Sequence, residues 1–176
     1  MSRSGYTDDY DDDPLATGRW RQAVKRSLEG KRGQALLTEL LEALDAMPDK
    51  RLYPGSFATP EGEFCTLGVL GAKRGTRMDD LVDEDWCDTA VVGQRFGIAP
   101  AMAAEIMYLN DEYFADTHKW VDVEICGPMR PYYPDWGEHI RSVSVHNDNH
   151  PQERWQRMRA WVVENLAAHQ ATKEPK

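Results

Sequence analysis

His146 and His150 stand four residues apart. On a helix that spacing puts two imidazoles on one face and suits a zinc site. Here Asn147-Asp148-Asn149 lies between them and Pro151 follows, which reads as a turn. Cys126 and His139 complete no ordered ligand spacing either. Asp9, Asp11 and Asp13 hold the first three ligand positions of a calcium loop. Pro14 then stands where that loop turns on glycine, and Trp20 where it needs a bidentate glutamate. Gly68, Gly71 and Gly75 surround Lys73 and Arg74 without the Gly-Lys-Ser/Thr ending of a phosphate loop. Gly30-Lys31-Arg32-Gly33 puts two cations at the start of a leucine-rich helix, where anions are favoured, again without that pattern. No serine or cysteine has the neighbours of an activated nucleophile, and there is no dinucleotide fingerprint. Read from these residues, the protein is not an enzyme and requires no metal and no cofactor.

Residues 90–111 carry the clearest local pattern, a helix, a turn at Gly97 and a second helix. Gly93, Ile98, Ala103 and Ile106 fall where a helix-turn-helix needs small and apolar side chains. A DNA-binding regulator is therefore the alternative function. Its cations would be Arg95 together with Arg19, Arg21, Lys31 and Arg32. The second helix offers Glu105 and Asp111 and no Lys or Arg, so phosphate would be repelled where docking is required. A structural hairpin is the stronger reading, and nucleic acid is a disfavoured partner.

Charge is unevenly distributed around a net value of −9. Asp8, Asp9, Asp11, Asp12 and Asp13 form one acidic block, and Asp79, Asp80, Asp83, Glu84, Asp85 and Asp88 another. Residues 19–32 are basic apart from Glu29. Such blocks favour basic partners, or serve solubility and intramolecular pairing. The three cysteines are odd in number and widely spaced, which implies reduced thiols. No run approaches the length of a membrane span, and the first residues lack the apolar stretch of a leader. A cytoplasmic location in a bacterial host is expected.

Among 176 residues, 41 % hydrophobic and 29 % charged, there is material for one core. The fold class expected is mainly α, a compact helical domain with a small two-stranded β-hairpin insertion. Residues 1–13 read as a disordered acidic tail, 14–112 with 151–170 as the helical domain, 113–150 as the insertion, and 171–176 as a second tail. A helix opens at Asp13-Pro14 and buries Trp20, Ala23, Val24, Ser27 and Leu28. After a break from Gly30 to Gly33, Leu36, Leu37, Leu40, Leu41 and Leu44 give the strongest amphipathic stripe. Thr59-Pro60-Glu61 opens a further segment through Gly75, helix or buried strand. Gly68 and Gly71 in it would admit another helix closely. Trp120–Cys126 and Ile140–His146 alternate as two antiparallel strands. The loop between them carries Arg130, Tyr132, Tyr133 and Trp136, the composition of an interaction surface. A last helix begins at Pro151. Trp155, Met158, Trp161, Val162 and Leu166 form its buried face, with Arg154, Arg157 and Arg159 off it. Phe96, Ile98 and Ile106 complete the expected core.

The stretches Arg19-Trp20-Arg21-Gln22-Ala23-Val24, Gly30-Lys31-Arg32-Gly33-Gln34-Ala35-Leu36-Leu37, Phe96-Gly97-Ile98-Ala99 and Arg154-Trp155-Gln156-Arg157-Met158-Arg159-Ala160-Trp161 resemble a widespread set of small phage- and prophage-encoded proteins. Cys65-Thr66-Leu67-Gly68 and Asn110-Asp111-Glu112 share in it. The resemblance covers most of 4–112 and 151–166 and leaves out 113–150. It implies a viral or prophage origin and a mostly helical fold, and no activity. The function expected is that of a phage accessory protein which binds a host or phage protein, anti-defence activity being one form.

Overall fold

The computed structural model describes residues 15–81, 87–111, 118–124 and 140–173. Among these are six helices and one two-stranded antiparallel sheet, so the fold is mainly α with a small hairpin. The order is α1 (Ala16–Glu29), α2 (Lys31–Ala46), α3 (Thr66–Arg74), α4 (Thr89–Phe96), α5 (Pro100–Asp111), β1 (His118–Glu124), β2 (Ile140–His146) and α6 (His150–Lys173). Residues up to 111 and from 151 onward belong to one unit, and the hairpin through His150 to a second. No described helix is long and apolar enough to cross a membrane.

The leucine stripe of α2 is the inner face of the helical unit: Leu36, Leu37, Leu40 and Leu44 are buried, while Leu41 packs half-buried beside them. The break before α2 is one residue long. Gly30 is extended, and Gly33 already lies inside α2. A Cβ on Gly33 would stand 2.0 Å from the Ser27 carbonyl oxygen, so glycine is what lets the end of α1 lie against α2. On α1 only Val24 is fully buried, and Ala23, expected inside, faces solvent. Around α2 the core gathers Leu52, Phe57, Leu67, Leu70, Val92, Phe96, Ile98, Met102, Ile106, Met107, Met158 and Val162. Trp155 and Trp161 sit half-buried at its edge.

The segment from Thr59 resolves as a turn and then a helix. Ala58 bridges Phe64, the Thr59 amide donates to the Glu63 carbonyl, and α3 begins only at Thr66. Its glycines serve a different neighbour from the one expected. Loop residues, and no helix, press against them: a Cβ on Gly68 would stand 1.7 Å from the Phe57 carbonyl oxygen, and one on Gly71 2.2 Å from Met78 Sδ. The α4–α5 hairpin matches its pattern. Asp88 caps α4 by accepting from the Ala90 and Val91 amides, and Gly97 takes the left-handed conformation at φ 74°.

The largest departure is Arg154. Expected on the outer side of α6, it is 2 % exposed. Its Nε donates to the Asn110 carbonyl at 2.7 Å and Nη1 to the Leu52 carbonyl at 3.1 Å. Burial pushes its pKa down, with the Asp111 charge opposing. Asn110 is buried beside it. Its Oδ1 accepts from the Thr66 amide at 3.1 Å and the Thr66 hydroxyl at 2.7 Å, and its Nδ2 donates to the Tyr53 carbonyl at 3.0 Å.

The first strand starts two residues earlier than its alternation suggests, and Ile125 and Cys126 lie outside the described residues. Register pairs His118 with His146, Trp120 with Ser144, and Val121 with Val143. One face carries Val121, Val123, Val143 and Val145, and the other carries Trp120, 75 % exposed. The last helix runs on to Lys173, into the stretch read as a tail.

The Gly68 contact makes a direct test of this packing. Gly68→Ala should destabilise the protein by at least ~3 kcal/mol in urea unfolding, because backbone must move to admit the methyl group. Gly18→Ala, on α1 with nothing within 4 Å of the new atom, should leave stability unchanged or raise it by about 0.5–1 kcal/mol.

Candidate functional site

The candidate site is a cleft of about 480 Å³ in the helical unit, between the end of α2, the chain that follows it, the 61–64 turn and α3. Each wall is fixed by a traceable local cause. The last turn of α2 ends where Pro48 forbids continuation, and its free carbonyls are taken up from outside. The Leu44 carbonyl accepts from the Met47 amide at 3.4 Å, Lys50 Nζ at 3.3 Å and Trp155 Nε1 at 3.1 Å. Arg159 on α6 grips Asp45 with both Nε and Nη2, at 2.6 and 3.0 Å. The guanidinium of Arg159 and the ammonium of Lys50 also lie over the Trp155 ring, 5.9 and 5.2 Å from its centre. The hydrogen bond from Arg159 holds the Asp45 carboxyl below its ordinary pKa.

The opposite wall is the bend through Tyr53 and Phe64, joined by the Tyr53 amide and the Phe64 carbonyl at 3.0 Å. Glycine at 62, φ 84°, permits the turn at the lip. Burial raises the Tyr53 phenol pKa, and a hydrogen bond to Glu63 raises it further, so the phenol stays a donor. The Arg51 guanidinium lies 5.7 Å from the centre of the Tyr53 ring. On α3, Lys73 pairs with Glu42 of α2 at 2.8 Å, and Arg74 pairs with Glu39 and the Phe96 carbonyl. These bonds tie α3 to α2 across the floor.

Ala43, Met47, Phe64, Val69 and Ala72 make the apolar floor. Asp49, Glu61 and Glu63 stand at the rim with Arg51 and Lys73. Lys73 is already matched by Glu42, so the rim carries an excess of negative charge. Asp49 and Glu61 are exposed. The arrangement suits non-covalent capture: an apolar group enters, and a cation beside it meets carboxylates.

The residues singled out by sequence are not gathered here. Arg130, Tyr132, Tyr133 and Trp136 lie outside the described residues. Arg95 pairs with Asp80 through both terminal nitrogens at 3.0 Å, and also donates to the Arg77 carbonyl. Arg19, Arg21, Lys31 and Arg32 are exposed along α1 and the start of α2. The helix that would enter a DNA groove is α5, and past Pro100 each of its side chains is buried or half-buried. Asp111 turns inward, accepting from the Gly55 amide at 3.2 Å and from Asn110 Nδ2 at 2.7 Å. In the second acidic block, Asp79 pairs with Arg77, Asp80 with Arg95, and Asp88 caps α4, so these charges act inside the molecule.

The cleft itself escaped sequence reasoning. Pro48, Pro60 and Gly62 announce turns, but nothing local says that residues 46–53 and 61–64 face each other. No family model, no curated protein and no solved structure matches the chain.

The Asp45 clamp has a signed pH dependence. The folded carboxyl titrates below its unfolded value, so its contribution is present above about pH 4 and is lost as pH falls through the folded pKa. Asp45 and Arg159 are both partly exposed, which keeps the effect small. The wild type should melt about 1 °C above Asp45→Asn at pH 7. That difference should shrink as pH falls below about 4 in paired calorimetric scans.

Proposed function

We propose that the protein is a non-enzymatic binding protein of phage or prophage origin that takes a segment of a host or phage protein into the cleft between α2 and α3. The observation that carries this reading is the cleft itself, an apolar floor under a rim with more carboxylates than free cations. The matching occupant is an extended peptide with a bulky apolar side chain next to Lys or Arg. Its apolar group would lie on Met47, Phe64 and Val69, and its cation against Asp49 and Glu61. Both walls are held by bonds to α2, α3 and α6, so little ordering is required on binding. The resemblance of the chain to small phage-encoded proteins supports the origin and a cytoplasmic site of action in the bacterial host. Anti-defence activity, by occupying a basic surface of a host defence protein, is the form that the acidic rim favours.

Ala46 and Ala72 line the cleft and are solvent-exposed, so enlarging them fills it without disturbing the core. Tagged wild type should retain a specific protein from lysate of infected host cells, quantified by mass spectrometry. Ala46→Trp and Ala72→Trp should each lower retention at least tenfold, while Thr38→Trp, exposed on α2 outside the cleft, should not. Peptides tiling the retained protein should bind through one apolar–basic segment. Equal retention by all four proteins, or no reproducible retention by the wild type, would refute the assignment.

A further inference from the structure

The strand register brings together two histidines that sequence spacing did not connect. His118 opens β1 and His146 closes β2, and the two are direct cross-strand partners on one face of the ribbon. Their ring centres are 5.5 Å apart, with the planes at 81°. Two imidazoles sharing a tetrahedral ion, with metal–nitrogen bonds of about 2.0–2.1 Å, have ring centres roughly 5 Å apart. The centres therefore already stand at about the separation a chelate requires, and only rotation of the rings is needed to aim their nitrogens. Both side chains are exposed, and the broad χ2 well of histidine allows either ring to turn its nitrogen toward a common point. The Asp148 carboxylate, 3.8 Å from His146 Nε2, adds negative charge beside the pair.

We propose that His118 and His146 form a two-imidazole binding site for a divalent transition cation of the zinc, nickel and copper class. Imidazole nitrogen selects these ions over magnesium and calcium, which take oxygen ligands. Among the described residues no three such side chains converge, so the ion keeps open positions for water or for a ligand from another molecule. The site lies at the end of the ribbon opposite the Glu124–Ile140 pair. A two-stranded ribbon is marginal by itself, and an ion bridging its strands binds only the paired form. Occupancy thus stabilises the pairing of β1 with β2 by linkage. The candidate pair His146–His150 is replaced by His146–His118, because antiparallel pairing, and not position on a helix, sets which imidazoles meet. The pair belongs to the hairpin unit and the cleft to the helical unit, and the proposal stands or falls independently of the cleft.

The test is a titration of the full chain with Zn2+, read in imidazole 1H–15N correlation spectra, with Mg2+ as control. One Zn2+ per chain should shift the His118 and His146 ring signals together and saturate at 1:1, and tenfold excess Mg2+ should move neither. His118→Gln and His146→Gln should each weaken Zn2+ binding at least tenfold, while His150→Gln and His169→Gln should not. Strand amide signals report whether each metal-free variant keeps its hairpin. Should a variant lose it, the wild type decides: Zn2+ must slow amide exchange in β1 and β2 at least fivefold. Binding that survives His118→Gln, one ion per two chains, signals shifting at His146 and His150 alone, unchanged strand exchange, or no saturation by 1 mM Zn2+ would each overturn the proposal.

Discussion

A guanidinium and a carboxamide removed from water must be matched bond for bond, because each unmatched polar group in an apolar core costs about 1–3 kcal/mol. In this protein Arg154 and Asn110 are both buried and lie in contact, and their partners come from distant parts of the sequence. Asn110 lies in the last turn of α5, Thr66 begins α3, and Leu52 and Tyr53 belong to the irregular chain between α2 and α3. Arg154 comes from the first turns of α6. The geometry also suits the electrostatics of helix ends. Arg154 places its cation at the carbonyl end of α5, and the Asn110 oxygen receives the first amide of α3.

This junction fixes a stretch of chain that has no regular structure of its own. Leu52 is buried, its amide donates to the Pro151 carbonyl and its carbonyl accepts from Arg154. Tyr53 is fixed through its carbonyl by Asn110 and through its amide by Phe64. The wall of the cleft therefore has a position determined from α5 and α6, while its opposite wall is set by the capping of α2 and the Arg159–Asp45 clamp. A binding surface built of loops gains definition when polar groups of a rigid scaffold satisfy the loop backbone.

Much of the fold was legible because it rests on local periodicity. The α2 stripe, the capped and glycine-stopped α4–α5 hairpin and the alternation in β2 all follow from spacing within a few residues. The errors share a cause. Arg154 was placed outside because cations usually are, and only its three-dimensional surroundings supply the carbonyls that let it enter. Gly68 and Gly71 were rightly read as sites of close approach, but the approaching groups, Phe57 and Met78, are set by tertiary folding. The cleft and the His118–His146 pair were missed for the same reason, since each joins residues whose separation along the chain carries no period. The Arg95–Asp80 pair was likewise invisible, since it joins residues fifteen positions apart along the chain.

Native-state hydrogen exchange tests most directly whether the buried junction is one cooperative unit. The amides of Leu52, Tyr53 and Thr66 bond to Pro151, Phe64 and Asn110, three different elements. If Asn110 and Arg154 lock them together, all three should exchange through a single opening, with protection factors within about tenfold of one another and near those of the α2 core. Leu52 and Tyr53 exchanging a hundredfold or more faster than Thr66, as in an ordinary surface loop, would contradict the account.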